Sequence, residues 1–582
     1  MKYFLFYFYF LLYSLNTAQA QEINIISGVK IRLRDGVELN ATLYKPHEQK
    51  ESLPVIFALT PYISDSHHGR GIYFAGQGYV FAIVDVRGRG SSEGTFDPFI
   101  QEAKDGYDVV EWLAKQGFCN GKVAMWGGSY LGYDQWAAAK ELPPHLCTIV
   151  PVSAVYPGFI FPMTMNIGDP YAIDWLSYTS GKTGNSNLHA DDTYWESKYR
   201  ERYVKDLPFC KLDSLTGNTT TVFQKWISHP AVDDYWKSFT PSDFQYSRIQ
   251  LPILTITGCY DDVQPGAIKY YKDFIQHISQ VSKKKQFLII GPWDHLGTRS
   301  PKKDVGGLRF GDSSLLDMND LHRQWYNYTM KDSAKPEFLK NNVAYYITNR
   351  DKWKYAGSLD KIGEKKMMLY LNSNNDIIHD ALHPAQLATQ MNISNNPTKF
   401  IYDPLEKSFS VSTFSNNLPD YLTEQTSVKD LYNKGIVYQS DVWEKETEVS
   451  GFFKLDIYIG TDVKDVDIEA DIYEIKVDSS SVLLTNNFVR GRYRESLERE
   501  KLLVPGEVNL FHFENFPFIS RVIEKGSRLR LVITSPNSIY IEKNYCSDGI
   551  VAKETARDAH VAHIYIYNDR LHPSVLFVPV VY

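Results

Sequence analysis

Short apolar runs alternate with segments of helical periodicity in the N-terminal part of the chain. Runs of strand length occupy residues 55–59, 79–84, 122–126 and 147–152. Strands that are apolar almost throughout are typical of parallel sheets whose two faces are both buried. Residues 101–116 carry apolar side chains at helical spacing between two of these runs. This alternation of strands and helices predicts a doubly wound α/β core.

The strand pattern is interrupted between residues 156 and 249. This stretch is rich in aromatic residues and has helix-like pieces at 191–204 and 222–227, but no core strands. The apolar strands resume at residues 251–257 and 285–290. An insertion at this point would cover the carboxyl ends of the strands, where α/β sheets bind ligands. We therefore predict that residues 156–249 form a mainly helical cap insertion.

The C-terminal part of the chain has the pattern of an all-β domain. Apolar and polar residues alternate strictly at residues 466–472 and 528–531, and short strands bounded by Gly, Pro and Asn continue to residue 580. This pattern predicts a β-sandwich of jelly-roll type. We expect an α/β core made of residues 21–155 and 250–352, followed by the sandwich at residues 353–582.

The N-terminus has the features of a cleavable signal peptide at residues 1–20. Lys2 supplies the positive charge, residues 3–13 form an apolar aromatic segment, and residues 18–20 are a small-x-small cleavage site. The apolar segment is shorter than the roughly 20 residues that a membrane span needs. We expect a mature chain that begins at Gln21 and is secreted or periplasmic, without a membrane span.

Composition and charge exclude several classes of protein. With 582 residues the chain is long enough for several domains, and its net charge of −7 shows no basic excess of the kind that would suggest nucleic-acid binding. The five cysteines include Cys119 and Cys147, each just before a predicted core strand, so a disulfide between them is one open alternative. No Cys-x-x-Cys or Cys/His cluster indicates a metal site, and no cofactor is expected.

A run of small residues follows the third of these apolar strands. Gly127 precedes Ser129 by two positions, and a helical pattern follows, as in the strand–turn–helix elbow that presents a nucleophilic serine. The usual pattern is G-x-S-x-G, but Leu131 occupies the place of the second glycine and Gly132 comes one residue late. Taken alone, the run fits an ordinary glycine-rich turn equally well.

Two later strands are each followed by a residue type that a serine nucleophile requires. Asp261 follows the strand at residues 251–257, and His295 follows the strand at residues 285–290. In α/β hydrolases the chain order is serine, acid, histidine, with the acid and the histidine beyond later strands. Ser129, Asp261 and His295 satisfy that order. The neighbouring Asp262 is the alternative acid, and His67 and His68 are the alternative histidines.

Five motifs in one order make the resemblance to a known family specific. They are Thr60-Pro61-Tyr62, the segment at residues 85–94, the segment at residues 127–132, Tyr260-Asp261, and the segment at residues 291–295. Together they resemble the superfamily of cocaine esterase, α-amino-acid ester hydrolase, glutaryl-cephalosporin acylase and X-Pro dipeptidyl peptidase. The form G-x-S-Y-x-G is typical of that family, which accounts for the position of Gly132.

The resemblance implies a role for five residues. Ser129 is expected to be the nucleophile, His295 the general base and acid, and Asp261 the group that orients His295. The hydroxyl of Tyr62 and the backbone N–H of Tyr130 are expected to form the oxyanion hole. The implied fold is an α/β-hydrolase core with a helical cap and a C-terminal β-sandwich.

The substrate is less specified than the reaction. Val263 and Gln264 stand where the amino-acid ester hydrolases carry an acidic pair, which disfavours that branch, and Tyr156, Phe159, Phe161, Tyr171 and Trp175 are candidate pocket walls. The leading expectation is a secreted serine hydrolase that cleaves a small-molecule ester or amide through an acyl-enzyme. The alternatives are an X-Pro dipeptidyl peptidase and a glycan- or surface-binding protein with a vestigial hydrolase core. The oligomeric state is left open.

Overall fold

The computed structural model describes residues 22–372, 380–392, 396–407, 419–424, 431 and 433–581. The predicted signal peptide at residues 1–20 lies outside these residues. Within the ranges that are described, no helix has both the length and the apolar character that crossing a membrane requires.

The first part of the α/β core alternates strands and helices as predicted. Its elements are β1 (Ile23–Arg32), β2 (Glu38–Pro46), β3 (Leu53–Thr60), α1 (His68–Gly76), β4 (Val80–Asp85), α2 (Glu102–Ala114), β5 (Cys119–Gly128), α3 (Tyr130–Lys140) and β6 (Leu146–Val152). Strands β1 and β2 form an antiparallel hairpin, and β3 pairs in parallel with both β4 and β5. From Val123 to Gly128 the residues of β5 are buried on both faces of the sheet, as the apolar sequence predicts.

The segment between β6 and the next core strand is mainly helical. It contains β7 (Met163–Thr164), β8 (Ile167–Gly168), α4 (Tyr171–Tyr178), α5 (Ser186–His189), α6 (Asp192–Val204), α7 (Leu212–Leu215), α8 (Thr221–Ile227), α9 (Asp234–Lys237) and α10 (Asp243–Arg248). Side-chain caps begin several of these helices, as where the Thr220 hydroxyl accepts from the backbone N–H of Val222. Their aromatic side chains, including Trp195, Trp226 and Trp236, form a buried cluster. This segment packs as a structured cap.

The α/β core then resumes and completes a ten-stranded sheet. The remaining elements are β9 (Ile253–Tyr260), α11 (Gln264–His277), α12 (Gln280–Lys283), β10 (Gln286–Asp294), β11 (Asp304–Val305), β12 (Leu308–Arg309), α13 (Met318–Met330), β13 (Val343–Ile347) and β14 (Lys352–Ala356). The strand order is β1-β2-β4-β3-β5-β6-β9-β10-β13-β14. Strands β5, β6, β9 and β10 are therefore consecutive and parallel, so their carboxyl ends meet at one edge.

The C-terminal part is an all-β sandwich. Its strands are β15 (Lys365–Asn372), β16 (Ala385–Ala388), β17 (Thr398–Tyr402), β18 (Gly435–Ser440), β19 (Thr447–Gly451), β20 (Lys454–Thr461), β21 (Asp467–Ile475), β22 (Ser481–Arg490), β23 (Val508–Phe513), β24 (Ile519–Ile523), β25 (Arg528–Thr534), β26 (Ala562–Tyr567) and β27 (Val575–Val581). Apolar side chains of these strands share one buried cluster. The jelly-roll type of the sandwich stays a prediction.

The sandwich is joined to the α/β core beside the turn between β9 and α11. The buried amide of Gln264 donates to the carbonyls of Gly258 and Phe518, both at 2.9 Å, and accepts from the Phe518 backbone N–H at 2.6 Å. A buried amide with all these bonds made is costly to disturb. It therefore fixes the start of β24 next to the carboxyl end of β9.

The cysteine thiols are all free. Cys119 and Cys147, the open disulfide pair of the sequence analysis, are therefore not joined in this structure. The Cys119 thiol instead accepts from the backbone N–H of Gly121 at 3.3 Å.

Candidate active site

Ser129 lies in a sharp turn between β5 and α3. Its backbone angles are φ 63° and ψ −122°, a left-handed conformation that is uncommon for a residue with a side chain. The turn is held by its own hydrogen bonds. The Ser129 N–H donates to the Val152 carbonyl at 2.9 Å, and the Ser129 carbonyl accepts from the N–H groups of Gly132 and Tyr133. This is the strained serine turn that the elbow motif predicts.

Two glycines allow the chain to close around Ser129. A Cβ on Gly127, whose φ is +144°, would lie 2.4 Å from the Cβ of Leu131, and a Cβ on Gly132 would lie 2.9 Å from the Val152 carbonyl oxygen. Real Cβ atoms do not approach so closely, so both positions need glycine. Leu131, at the place of the second glycine in G-x-S-x-G, packs its side chain against Gly127. The close contact between α3 and the end of β6, which requires a glycine, falls one residue later, at Gly132.

His295 and Asp261 meet at the carboxyl ends of β10 and β9. His295 Nδ1 lies 2.8 Å from Asp261 Oδ1, and the other oxygen, Asp261 Oδ2, accepts from the Thr257 hydroxyl at 2.7 Å. The Val263 backbone N–H also donates to Asp261 Oδ1, at 3.2 Å. The carboxylate is thus held in place from three sides. It occupies Nδ1 of the imidazole and leaves Nε2 for another partner.

Distance and burial both distinguish Asp261 from the neighbouring Asp262. The Asp262 carboxylate lies 3.4 Å from His295 Nδ1, and 57% of its side chain is exposed. The Asp261 side chain has an exposed fraction of 0%. A buried carboxylate that is fully hydrogen-bonded holds a fixed orientation, whereas an exposed one does not. Asp261 is therefore the residue that fixes the imidazole.

The two partners shift each other's pKa in opposite directions. Burial alone would raise the pKa of Asp261, but the His295 hydrogen bond, the charge of His295 and the hydroxyls of Ser153 and Thr257 outweigh it and lower the pKa. Burial would lower the pKa of His295, but the carboxylates of Asp262 and Asp261 outweigh it and raise the pKa. The site therefore favours an ionised Asp261 beside a basic imidazole.

All five sequence-predicted site residues line one cavity of about 270 Å³. They are Ser129, Asp261, His295, Tyr62 and Tyr130. The cap contributes wall residues that include Phe161, Tyr171 and Trp175. The sandwich closes another side with Tyr421, Leu422 and residues 483–488 of β22. The cavity is therefore built from three parts of the chain that are far apart in sequence.

Tyr62 follows β3 and reaches the cavity with its hydroxyl. The indole N–H of Trp175 donates to this hydroxyl at 3.0 Å, and the Tyr62 ring stacks on Tyr178 with 5.4 Å between centroids. Burial raises the pKa of Tyr62 to about 12, so the hydroxyl keeps its proton at neutral pH. Since Trp175 supplies a donor, the tyrosine proton itself can be donated to a second acceptor in the cavity.

Tyr130 is placed by a buried network behind the turn. Its hydroxyl donates to Glu102 Oε1 at 2.5 Å and accepts from the Phe99 backbone N–H at 2.8 Å. Its ring stacks on Trp175 with 5.1 Å between centroids. Because Tyr130 begins α3, its own backbone N–H is one of the first amides of that helix, which are not bonded within the helix. These amides are suited to hold an anion.

Comparisons with known proteins identify the family of the chain. The family model described as X-Pro dipeptidyl-peptidase (S15 family) matches residues 35–297, and the model of the X-Pro dipeptidyl-peptidase C-terminal non-catalytic domain matches residues 366–576. The chain belongs to this superfamily of serine hydrolases. The hydrolase is 22% identical to the cocaine esterase of Rhodococcus sp. over 580 residues, which cover 96% of this chain and 99% of that protein.

Solved structures share the whole fold of the hydrolase. An aminopeptidase from a marine sediment Thaumarchaeota archaeon has a TM-score of 0.82 at 18% identity, and an α-amino acid ester hydrolase has a TM-score of 0.82 at 19% identity. Each alignment covers 97% of both chains. These likenesses show the α/β-hydrolase core with its β-sandwich. Since the family is one of enzymes, the alternative of a binding protein with a vestigial core is not supported.

The alternative histidines contact residues other than Asp261 and Ser129. His68 Nδ1 lies 3.1 Å from the Tyr44 hydroxyl, and His67 packs edge-on against Trp126.

Of the candidate wall residues, Phe161, Tyr171 and Trp175 line the cavity, whereas Tyr156 and Phe159 belong to a core cluster. Among the described residues, the group of three acid or histidine side chains close enough to hold a metal ion is Asp261, Asp262 and His295.

Sequence reasoning missed a third acidic residue of the cavity, besides Asp261 and Asp262. Asp169, just after β8, lines the cavity together with Asp262. Its carboxylate accepts from the Tyr171 backbone N–H at 2.9 Å, and burial raises its pKa to about 7, with further contributions from the Asp262 and Asp174 charges. Asp169 and Asp262, the two cavity carboxylates other than Asp261, favour a cationic ligand group. Nothing local in the sequence marks Asp169, since the folding of the cap brings it to the site.

Proposed function

We propose that the protein is a secreted serine hydrolase that cleaves a small-molecule ester or amide through an acyl-enzyme. Ser129 is the nucleophile, His295 the general base and acid, and Asp261 its orienting carboxylate. The observation that carries the proposal is the 2.8 Å hydrogen bond between His295 Nδ1 and Asp261, in the same cavity as Ser129 in its strained turn. A serine hydroxyl is weakly nucleophilic unless an oriented base takes its proton.

In the acylation step, His295 Nε2 takes the proton of Ser129 Oγ as that oxygen attacks the substrate carbonyl. The negative charge that develops on the carbonyl oxygen is stabilised by the Tyr62 hydroxyl and the Tyr130 backbone N–H. Asp261 stabilises the imidazolium but keeps its own charge, because the low pKa of this carboxyl disfavours protonation. The imidazolium then gives its proton to the leaving oxygen or nitrogen, which departs.

Deacylation repeats these roles with water. His295 takes a proton from the water molecule that attacks the ester of Ser129, and the same two donors stabilise the second oxyanion. Return of the proton to Ser129 Oγ breaks the acyl bond and regenerates the enzyme. The residues that supply the nucleophile, the proton transfer and the oxyanion hole all belong to this chain.

The direct test is Ser129→Ala in the chain from Gln21 onward. We expect wild type to hydrolyse short acyl esters and to be labelled by a fluorophosphonate probe, and the variant to lose both properties. Ser247→Ala is the matched control, because Ser247 is an exposed residue of α10. Labelling that persists in Ser129→Ala would remove Ser129 from the mechanism. Purification of the secreted protein should give Gln21 as its first residue.

A second candidate is hydrolysis of substrates with a free α-amino group, as the names of the aminopeptidase and the amino acid ester hydrolase suggest. Val263 and Gln264 replace the acidic pair of the latter branch, and Gln264 is bonded to Phe518. However, Asp169 and Asp262 supply two cavity carboxylates from other positions. These could hold an ammonium group, including that of an X-Pro dipeptide.

Matched substrates distinguish the two candidates. Phenylalanine methyl ester and its N-acetyl derivative differ in the ammonium group, and Ala-Pro anilide tests the dipeptidyl activity. If the second candidate is correct, the free amine is preferred and Asp169→Asn removes that preference. Equal rates on both methyl esters, with no release of anilide, leave the plain esterase as the function.

A further inference from the structure

The wall that the sandwich contributes to the Ser129 cavity is formed largely by an edge strand. Strand β22 stands last in the order of its sheet, pairs with β21, and lines the cavity with residues 483–488. An edge strand has backbone N–H and C=O groups on one side that no further strand can bond. Side chains of such a strand can bond these groups, contact a ligand, or do both. Asn487 in β22 has an amide suited to both, with an acceptor oxygen and a donor nitrogen.

The side-chain oxygen of Asn487 is fixed by the strand itself. Asn487 Oδ1 accepts from the backbone N–H of Phe488 at 2.7 Å. Because this partner is a donor, the bond distinguishes the amide oxygen from the amide nitrogen and sets how the amide is turned. The residue is also almost fully buried, with an exposed fraction of 2%. Asn487 is therefore held in one orientation.

The amide nitrogen of Asn487 has donors that the protein does not use. Its two N–H groups donate to no other residue that the structure describes. A buried donor without an acceptor costs stability, so such a group indicates a partner from outside the chain. The neighbouring Thr485 shows the usual arrangement, since its hydroxyl donates to the Pro517 carbonyl at 3.3 Å. Because Asn487 lines the Ser129 cavity, a ligand there can supply the acceptor.

The charges of the cavity favour an acceptor without a charge. The part of its lining that the structure describes includes the carboxyl groups of Asp169, Asp261 and Asp262 but no lysine or arginine. An anionic group would be repelled by the ionised acids, with no cation beside it to balance that repulsion. A carbonyl oxygen accepts a hydrogen bond from an amide N–H and carries no net charge. A neutral carbonyl therefore fits Asn487 best.

We propose that Asn487 is a specificity-determining residue that donates a hydrogen bond to a second carbonyl of the substrate, apart from the one that Ser129 attacks. The attacked carbonyl has donors from the α/β core, the Tyr62 hydroxyl and the Tyr130 backbone N–H. The further donor on the sandwich wall binds a different oxygen. The proposal rests on the proposed function, because it concerns the substrate of Ser129. It gives the sandwich a part in substrate recognition.

The test compares substrates that differ in a second carbonyl. The methyl esters of N-acetyl-β-alanine and of hexanoic acid have acyl chains of equal length, and only the first carries an amide carbonyl. The butyrate esters of 5-hydroxy-2-pentanone and of 1-pentanol place the second carbonyl in the leaving group. We expect wild type to prefer the carbonyl-bearing member of one pair in kcat/KM. That pair identifies the part of the substrate that Asn487 contacts.

Asn487→Asp keeps the bond to the strand but removes the donor. Its carboxylate can still accept from the Phe488 N–H, while a second acceptor replaces the amide nitrogen. It should therefore reduce the carbonyl-to-alkyl ratio of kcat/KM by about 10- to 100-fold. Asn487→Leu removes the donor without adding a charge and should reduce the ratio by about 3- to 10-fold. A purely structural role would lower both members of a pair equally and leave the ratio unchanged.

Asn341→Asp is the matched control. Asn341 is exposed, and its Oδ1 likewise accepts from the backbone N–H of the next residue, Asn342, at 2.9 Å. This variant should leave the ratio unchanged. Tyr421→Phe tests the alternative donor of the same wall, because the Tyr421 hydroxyl is buried and has no hydrogen-bond partner among the described residues. It should also leave the ratio unchanged.

Three results would overturn the proposal. They are wild-type ratios near one for both pairs, a ratio that neither Asn487 variant changes, and a ratio that Tyr421→Phe alone lowers. If Asn487→Leu does not fold, because the Phe488 N–H then lacks its acceptor, Asn487→Asp still decides. Failure of the proposed function is separate, because it would appear as alkyl-ester turnover that is absent in wild type or survives Ser129→Ala.

Discussion

The indole N–H of Trp175 donates to the hydroxyl oxygen of Tyr62 at 3.0 Å. Trp175 belongs to α4 of the cap, and Tyr62 follows β3 of the core, so the bond crosses from one part of the cavity to the other. It fixes the direction of the Tyr62 hydroxyl, which must give its own proton to another acceptor. In the proposed mechanism that acceptor is the oxyanion. In that mechanism, the cap takes part in aligning an oxyanion donor.

Removal of the Tyr62 hydroxyl should lower the turnover rate. We expect Tyr62→Phe to lower kcat by about 10²- to 10³-fold, the usual cost of one oxyanion donor, while KM changes little. Trp175→Phe should lower kcat less, by about 3- to 10-fold, because the donor remains but its direction is no longer held. Steady-state hydrolysis of a short acyl ester measures both effects.

Tyr178→Phe is the control for these two variants, since it keeps the ring that stacks on Tyr62. It should retain nearly full kcat. A Tyr62→Phe enzyme with wild-type kcat would show that Tyr62 is only a packing residue. If Trp175→Phe raises KM without changing kcat, Trp175 acts in substrate binding alone.

Substitution of Asp261 should lower kcat far more than substitution of Asp262. Asp261→Asn should lower kcat by about 10⁴-fold, because an amide in place of the carboxylate favours the wrong imidazole tautomer. Asp262→Asn should lower it less than about tenfold, since Asp262 lies 3.4 Å from His295 Nδ1 and is largely exposed. The measurement is kcat on a neutral ester, on which an ammonium subsite has no effect. The opposite ranking would make Asp262 the orienting acid.

The core of the candidate site could be predicted because its residues directly follow apolar strands. Ser129 follows β5, Asp261 follows β9 and His295 follows β10, and parallel neighbours bring such positions to one edge of the sheet. The choice between Asp261 and Asp262 could not be made from spacing, because adjacent residues differ only in the direction of their side chains. Tyr62 was identified through the family resemblance alone.

Only part of the remaining cavity could be predicted, because long-range packing builds it. Phe161, Tyr171 and Trp175 were among five aromatic candidates, but the position of Asp169 depends on how the cap folds over the sheet, and residues 483–488 of β22 come from the sandwich. Helical and strand patterns predict that these segments exist, but not which of their residues face the site. Arg70 of α1 donates to the backbone carbonyl of Arg299 beyond β10, a long-range bond that no local pattern encodes.

The pH dependence of turnover should report the charges around His295. The base is active when neutral, and the carboxylates of Asp262 and Asp261 raise its pKa against the effect of burial. The acidic limb of kcat/KM on a neutral ester should therefore lie above the ordinary histidine value of about 6.5.

Asp262→Asn removes one of these charges and should move this limb to lower pH. Asp273→Asn is a suitable control, because Asp273 pairs with Lys269 on α11. It should leave the limb in place. A limb that does not move in Asp262→Asn would mean that Asp262 has no influence on the protonation of His295 during catalysis.

Asp134 should make the folded protein less stable at alkaline pH. Both of its carboxylate oxygens are buried in α3 without a hydrogen-bond partner among the described residues, and burial, followed by the charge of Glu102, raises its pKa well above the ordinary value. The folded state therefore keeps a proton that the unfolded chain loses above about pH 3.9. Since the unfolded state binds fewer protons, the free energy of unfolding falls as pH rises through that value and beyond.

Asp134→Asn keeps the shape of the side chain without the titration. We expect the melting temperature of this variant to exceed that of wild type at pH 8, and the difference to shrink towards pH 4, where both side chains are neutral. Thermal unfolding of the two proteins across this range measures the effect. A difference that is constant with pH would mean that the Asp134 carboxyl has the same pKa in the folded and unfolded chains. A wild type that gains stability relative to the variant as pH rises would mean that the folded protein holds it ionised.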